Sequence, residues 1–395
     1  MLNAFATNTM KLKSLSIEVD DRKIEFDDLI TFECTHNLFT FGIYGVVIFR
    51  DTYDIFNAKK VKITGQTKVK LVFVDTFGKW YFKSFSVIDV ENLEDGRVKT
   101  VTLKLLDDFT FKLRTTYSNS LKTSRFNSDI VSVFKNVISQ LGLNTLLNKE
   151  KIKTDFVSSD DKYSMIIPNG ITLYDWFLQE FRKSNIRLWF DNFNLHCKEL
   201  KITDLKINNK EIKDKNGGDI QVTYTNDNQN YDCVYHIHEF EKQFGNKIVP
   251  FPKIAVNRVV DKSHYTETIN LDTFCKEIIL NKNNDFSQIQ ESSAMSVTHL
   301  SDTLKAQKYD LFENYIQQNK MIIAVAGNLR DLNAGSITNT YFKNTTSQFR
   351  ELQLSGDVTS SGVYLIIEVT HKIVGDKFID RAVLSRFDNP KSRKL

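Results

Sequence analysis

The residues closest to chemistry in this sequence are His236 and His238. With Ile237 between them, they would place two imidazoles on one face of a strand, and Cys233 and His264 lie nearby in sequence. Zinc is held by groups of this kind. Alternate polar residues on a strand face are more commonly solvated or hydrogen-bonded, and that reading is preferred. His196 and Cys197 are adjacent, so on a strand they point to opposite faces and would not both reach one ion. Asp160 and Asp161 fall in a polar stretch where solvated charge is the default. No GxxxxGK followed by Ser or Thr occurs, no GxGxxG, no GxSxG and no HExxH. A glycosidase needs two carboxylates placed across a cleft, which spacing alone does not reveal. The expectation is a protein that is not an enzyme, with no catalytic, cofactor-binding or metal-ligating residue to assign.

The 395 residues are enough for two to four domains, and 41% hydrophobic against 26% charged residues describes a globular chain. A net charge of +4, from 53 basic and 49 acidic residues, is too small to argue for nucleic acid as a partner. The basic end, KSRKL, reads as a solvated tail. The start, MLNAFATNTMKLKS, has no continuous apolar stretch, so no signal peptide is expected. The run MIIAVAGNL, 321–329, is among the longest apolar ones and is too short for a membrane span. Four scattered cysteines without a CxxC suit synthesis in a reducing cytoplasm. The 30 Phe and 14 Tyr beside only 4 Pro supply large apolar area for a core or for subunit interfaces.

The elements that would position these residues are mostly strands. Residues 15–113 read as an antiparallel meander, with strands over 61–75, 80–90 and 98–106 and turns at 75–79 and 94–97. At 114 the pattern changes to a polar, linker-like stretch. A helix follows, with Ile130, Val133, Phe134, Val137, Ile138 and Leu141 on one face, Ser128 or Asp129 as cap and Gly142 as stop. A second helix starts at Thr172 and Asp175, which have capping-box spacing, with Ile171 able to staple onto Trp176. Residues 186–200 read as a hairpin turning at Asp191-Asn192. Strands return over 219–244, one or two of them, 251–300 has no clear pattern, and 301–318 reads as a helix.

The chain then ends on a second meander, with strands over 336–342, 363–373 and 378–387 and a turn at Gly375. It repeats the layout of the first meander some 280 residues later, with almost no identity. The fold class expected is α+β, mostly antiparallel β, with two similar tube-like β-barrel domains and inserted α+β modules. The expected division is 1–113 for the first β-domain, 114–200 for an inserted α+β domain, and 201–250 with 320–388 for the second β-domain. Residues 251–319 would be an insertion with one long helix, and 389–395 a basic tail.

In the order of these parts the sequence resembles the central baseplate hub protein of contractile-tailed phages, related to the N-terminal part of VgrG-type spike proteins. The strings that carry the resemblance are YGVVIFRDTYDI (44–55), DIVSVFKNVISQLGL (129–143), GITLYDWFLQEF (170–181), GNLRDLNAGSITNTYF (327–342) and YLIIEVTHKI (364–373). VgrG-type proteins continue into an OB-fold and a β-helical spike, whereas this sequence stops at 395. The resemblance implies a homotrimer in which three chains present six β-domains, so that a sixfold tail tube stacks on one face and a threefold spike on the other. It also implies a place in the virion tail baseplate. Its partners there would be the tail tube protein, a spike or tail lysin and the baseplate wedge proteins, with DNA only passing through the channel. Two other functions compete with this one. An adhesin or carbohydrate-binding protein would display Trp platforms, but Trp80, Trp176 and Trp189 all lie in apolar periodic contexts that predict core. A lytic enzyme would need a catalytic constellation that is not found.

Overall fold

The computed structural model describes residues 12–52, 67–75, 78–95, 98–158, 163–200, 220–226, 229–235, 237–244, 253–260, 263–270, 276–280, 309–310, 312–313, 319–327, 329, 332–342, 362–375 and 377–386. The first seven strands are β1 (Ser14–Val19), β2 (Arg22–Ile24), β3 (Leu29–Asn37), β4 (Tyr44–Arg50), β5 (Lys68–Val74), β6 (Trp80–Asp95) and β7 (Val98–Asp107). Alternation builds them. In β5, Val69, Leu71 and Phe73 are fully buried while Lys68 and Lys70 face outward. The β1–β2 hairpin turns on Asp20 and Asp21, both at positive φ, which a two-residue hairpin loop requires and Asp tolerates.

An α+β module follows without a linker. Helix α1 (Asp108–Thr115) begins where β7 ends, because Asp107 caps it by accepting from the Thr110 amide. The sequence placed the change of character at 114, inside the last turn of this helix. Its polar residues Asp108, Lys112, Arg114 and Thr115 hid the buried Phe109, Thr110 and Leu113. Next come β8 (Arg125–Ser128), α2 (Ile130–Gln140), α3 (Leu143–Lys149), β9 (Lys153–Phe156), β10 (Tyr163–Ile166), α4 (Leu173–Lys183), β11 (Arg187–Phe190) and β12 (Asn194–Lys198). Asp129 caps α2, and Gly142 at φ +69 ends it and opens α3 at once. Thr172 caps α4 by accepting from the Asp175 amide. The Asp175 carboxylate bonds the Thr172 hydroxyl, not its amide, so only half of the expected box forms. Phe134 packs edge-on against Phe177 and Phe181, joining α2 to α4. Burying each ring contributes about 2–3 kcal/mol.

The remaining described strands are β13 (Ile220–Asn226), β14 (Gln229–Tyr235), β15 (Ile237–Phe244), β16 (Lys253–Val260), β17 (Ser263–Asn270), β18 (Lys276–Leu280), β19 (Asn319–Ala326), β20 (Ile337–Phe342), β21 (Gly362–Val374) and β22 (Lys377–Arg386). Strands β16–β18, in the stretch that gave no pattern in the sequence, form a separate antiparallel sheet. Of the helix read over 301–318, residues 309–310 and 312–313 are described and are helical, and the rest lies outside the described residues.

Two seven-strand sets share one topology. The first runs β2-β1-β5-β6-β7-β4-β3. The second runs β14-β13-β20-β21-β22-β19-β15, the same order strand for strand. The agreement extends to register. A constant separation of 279 positions carries the β6–β7 ladder, Phe85↔Asp107 to Asp95↔Val98, onto the β21–β22 ladder, Tyr364↔Arg386 to Val374↔Lys377. It also carries the bulge at Ile88 onto the bulge at Ile367. Within the described residues the meander strands stand where their alternation placed them, β6 being longer than expected; 61–66 of the first strand lie outside the described residues.

The two sets join along β3 and β21, which pair antiparallel from Glu368↔Asn37 to Ile373↔Phe32. The result is a ribbon of eight antiparallel strands, β6-β7-β4-β3-β21-β22-β19-β15, in which one four-strand pattern occurs twice. Its core is rich in aromatics. Phe32, Phe73 and Phe85 are fully buried in the first set, and Phe378 of the second set packs against Phe73 with ring centroids 5.1 Å apart. Among the described residues, buried core therefore accounts for much of the Phe content. No single helix among them is long and apolar enough to cross a membrane.

Candidate functional site

Of the candidate residues, His196 and Cys197 alone have described side chains, and these two do not come together. His236 lies outside the described residues, as do Asp160, Asp161 and the side chains of Cys233, His238 and His264. His196 and Cys197 do point apart. Cys197 is fully buried, and His196 lies between two carboxylates, its Nδ1 2.8 Å from Asp155 Oδ2 and its Nε2 2.7 Å from Asp191 Oδ2. Burial opposes a charged imidazole, but the two carboxylates outweigh it and hold the His196 pKa above its ordinary value. Hydrogen bonds from His196 and Lys198 hold the Asp155 carboxyl well below the usual carboxylate range. Cys34 is buried, and desolvation pushes its thiol up to about 12, so it packs as an apolar group. Among the described residues, no group of three or more His, Cys, Asp and Glu is arranged to hold a metal ion. Trp176 and Trp189 are core, as expected. Trp80 is not, being 65% exposed. It opens β6 at the turn, on the face opposite Tyr81, Lys83 and Phe85, whose side chains point inward.

What the fold does bring together are seams. The α+β module is clamped to both strand sets. Against the first set, Lys83 on β6 meets Glu150 after α3 at 2.9 Å, with both side chains almost fully buried. The second Glu150 oxygen accepts from the Ser84 amide, and Lys83 Nζ sits 4.8 Å from the centre of the Phe190 ring. Both charges thus keep partners out of water, without which burial would cost several kcal/mol each.

Against the second set, the β11–β12 turn supplies the contact. Asp191 Oδ1 accepts from the amides of Phe193 and Asn194 and folds the turn. Asn192 at its tip donates to the carbonyls of Leu329 and Leu332, which fixes its amide so that Oδ1 faces His371 Nε2 at 2.6 Å. His371 Nδ1 lies 2.6 Å from Asp380 Oδ1, and neither His371 nor Asp380 is exposed at all. Nε2 must therefore donate to Asn192, and the Asp380 carboxyl faces the other nitrogen. Beside this contact, the Trp189 indole donates to the Ala334 carbonyl, and Gly335 at φ +85 lies flat against the ring.

The seam between the two strand sets is β3–β21. Besides its ladder, the Thr35 and Thr370 hydroxyls meet at 2.9 Å, Asn37 donates to Glu368, and the Leu38 amide donates to the carbonyl of the bulge residue Ile367. Ile367 is thereby 3% exposed. Its counterpart Ile88 is 46% exposed, and Leu93 further along β6 is 68% exposed. The sequence offered no signal for this difference, since both bulges look alike as alternating strand.

These features define a class: a chain of two topologically equal β-units joined edge to edge, with an α+β module packed on both. Two tail proteins are among the solved structures that share this fold. A 43 kDa tail protein of prophage MuSo2 from Shewanella oneidensis superposes with a TM-score of 0.57 at 12% identity, over 94% of this chain and 98% of that one. A tail protein from Neisseria meningitidis MC58 superposes with a TM-score of 0.51 at 8% identity, over 94% and 97%. No sequence-family profile matches the chain, and no curated sequence does. The expected fold class and the resemblance to tail proteins hold at the level of fold.

Proposed function

We propose that the protein is a structural tail protein, the trimeric central hub of a contractile-tail baseplate. Its partners in this reading are the tail tube protein, a spike or tail lysin and the wedge proteins. Genome ejection proceeds through its channel, and it has no catalytic activity of its own. The observation that carries the reading is the repeated strand order and register of the two β-units. Two units of one topology in one chain act as quasi-equivalent subunits, so three chains offer six similar positions around an axis while the chain itself repeats three times. That is the geometry a sixfold tube and a threefold spike need between them. The similarity to tail proteins from Shewanella oneidensis and Neisseria meningitidis supports a place in the virion tail. The competing adhesin reading gains only Trp80 as an exposed Trp.

The test is native mass of the purified chain together with images of the assembled particle. A trimer with six density lobes around a channel is expected. A stable monomer, a dimer or a true sixfold ring of identical chains would overturn the reading. For the absence of catalysis, purified chain freed of associated lysin should leave peptidoglycan intact.

A further inference from the structure

The β3–β21 seam carries a polar cluster that the fold does not require. On the buried face of this ladder, Phe32 and Cys34 of β3 and Val369 and Ile373 of β21 are fully buried, as apolar groups at a seam should be. Two imidazoles interrupt that face. His36 is 1% exposed, His371 is not exposed at all, and their ring centroids lie 5.4 Å apart. The separation of 279 positions between the two units puts the exposed Asn92 at the place of His371, so the repeated topology does not call for a buried imidazole there.

The two rings are held in opposite ways. His371 Nδ1 lies against the Asp380 carboxyl and Nε2 against Asn192 Oδ1, so one proton sits between His371 and Asp380, whichever of them owns it. Among the described residues no carboxylate bonds His36. Its Nε2 meets the Tyr81 hydroxyl at 3.0 Å, and its Nδ1 makes no hydrogen bond of ordinary geometry. The titratable and charged groups that face it are Cys34 on β3, Tyr81 and Lys83 on β6 and His371 on β21. Behind these stand Asp380 on β22, Glu150 after α3 and Asp107 after β7. Burial, then the neighbouring His371 and Lys83, hold the His36 pKa well below its ordinary value, against the Phe190 backbone, which raises it. His36 thus touches all three parts of the chain: Tyr81 in the first unit, His371 in the second and Phe190 in the module.

We propose that His36 is a proton-operated latch on the β3–β21 seam: neutral, it packs between the two β-units and the module, and once protonated it is expelled, parting β3 from β21 while the module stays folded. A charged ring in the closed seam would lack water, would leave its second N–H without a good acceptor and would face His371 and Lys83. The proton is therefore taken up by the open form. In the open form His36 titrates near the ordinary value of about 6.5, so below that pH the opening equilibrium gains about tenfold per pH unit, the slope of one proton. The proton of the His371 and Asp380 pair adds no slope down to about pH 4, because the opened pair still holds one, now on His371.

Cys34 reports the opening. Its sulfur is fully buried, 3.9 Å from the Tyr81 hydroxyl that His36 also meets. The full-length chain is treated with dithiodipyridine, which reacts with thiols at acid pH, over a pH series from about 4.5 to 7. Labelled peptides are mapped by mass, and each rate is divided by that of the urea-unfolded chain at the same pH. For Cys34 a rise of about tenfold per pH unit below about 6.5 is expected. Cys197, buried in the module, should stay protected and the circular dichroism unchanged. His36→Gln can still bond Tyr81 but cannot take the proton, and it should flatten the Cys34 profile. A Cys34 profile that is flat in the native chain, or equally steep in His36→Gln, overturns the latch. So does labelling of Cys34 and Cys197 together as the circular dichroism is lost, which is acid unfolding of the whole chain. If His36→Gln does not fold, the Cys34 and Cys197 profiles of the native chain decide alone.

Discussion

Replacing Gly335 by Ala probes the seam between the module and the second β-unit. Two costs add. The backbone φ of +85 lies where an L side chain is strained by about 1–2 kcal/mol. The new methyl would also stand 2.7 Å from Trp189 Nε1 and 2.9 Å from Cε2. The indole cannot yield freely, because it is 2% exposed, donates to the Ala334 carbonyl at 3.0 Å and stacks on His196 at 4.6 Å. Forcing a methyl into such packing costs about 1–3 kcal/mol, so the total is about 2–5 kcal/mol. Gly375→Ala is the control. Its φ is +57 and its Cβ would meet nothing within 4 Å, so it should show only the strain of about 1–2 kcal/mol. Urea unfolding followed by circular dichroism compares the two midpoints. If both variants lose the same stability to within about 0.5 kcal/mol, the ring does not constrain the loop and the reasoning fails.

Lys83→Met alone should cost about 3–5 kcal/mol by stranding the Glu150 carboxylate, and adding Glu150→Leu should recover part of that. A double-mutant cycle with no coupling would refute the pairing. Desolvation raises the Asp107 carboxyl to about 6, against hydrogen bonds from the Ile43 and Thr110 amides that lower it. Its folded pKa therefore lies above the unfolded value near 3.9, and its contribution is full at low pH and lost as pH rises through about 6. The stability of the native chain relative to Asp107→Asn should accordingly fall by about 2 kcal/mol between pH 4 and 7, and a flat difference would refute the shift. His196, held above its ordinary value, contributes stability that is lost as pH rises through its folded pKa. Its imidazole NMR signals should titrate above pH 6.5, and a midpoint below that value would show that burial outweighs Asp155 and Asp191.

The legible parts of this fold were those that local pattern determines. Helices α2 and α4 announced themselves through apolar spacing and caps, and the meanders through alternation. GNLRDLNAGSITNTYF also has physical reasons for its spacing. A Cβ on Gly327 would lie 2.4 Å from the Phe378 ring, Leu329 is fully buried, and Gly335 lies against Trp189 at positive φ. The short strands β8, β9 and β10 escaped because four residues carry too little period, and β9 is paired parallel to a strand about 40 residues away. Helix α1 escaped because its polar residues face out over a sheet invisible to local reading. The seams were illegible for a stronger reason. Asn192 reads as a turn residue, which it is, but its service to His371 comes from a contact 179 positions away. Trp80 was misplaced because alternation predicts which way a side chain points and says nothing of whether anything lies there.

The β3–β21 seam has a further consequence for how a ring would come together. Each association of free bodies gives up translational and rotational freedom, at roughly 4–15 kcal/mol a time, so six separate units would meet that loss five times and three fused chains only twice. Covalent linkage also sets the ratio of the two unit types at one to one without any recognition step. Because the inner joint forms during folding of a single chain, only the joint between chains of the proposed trimer would depend on protein concentration. Substitutions that weaken the inner joint should therefore act as folding defects, and those that weaken the outer one as assembly defects that dilution makes worse.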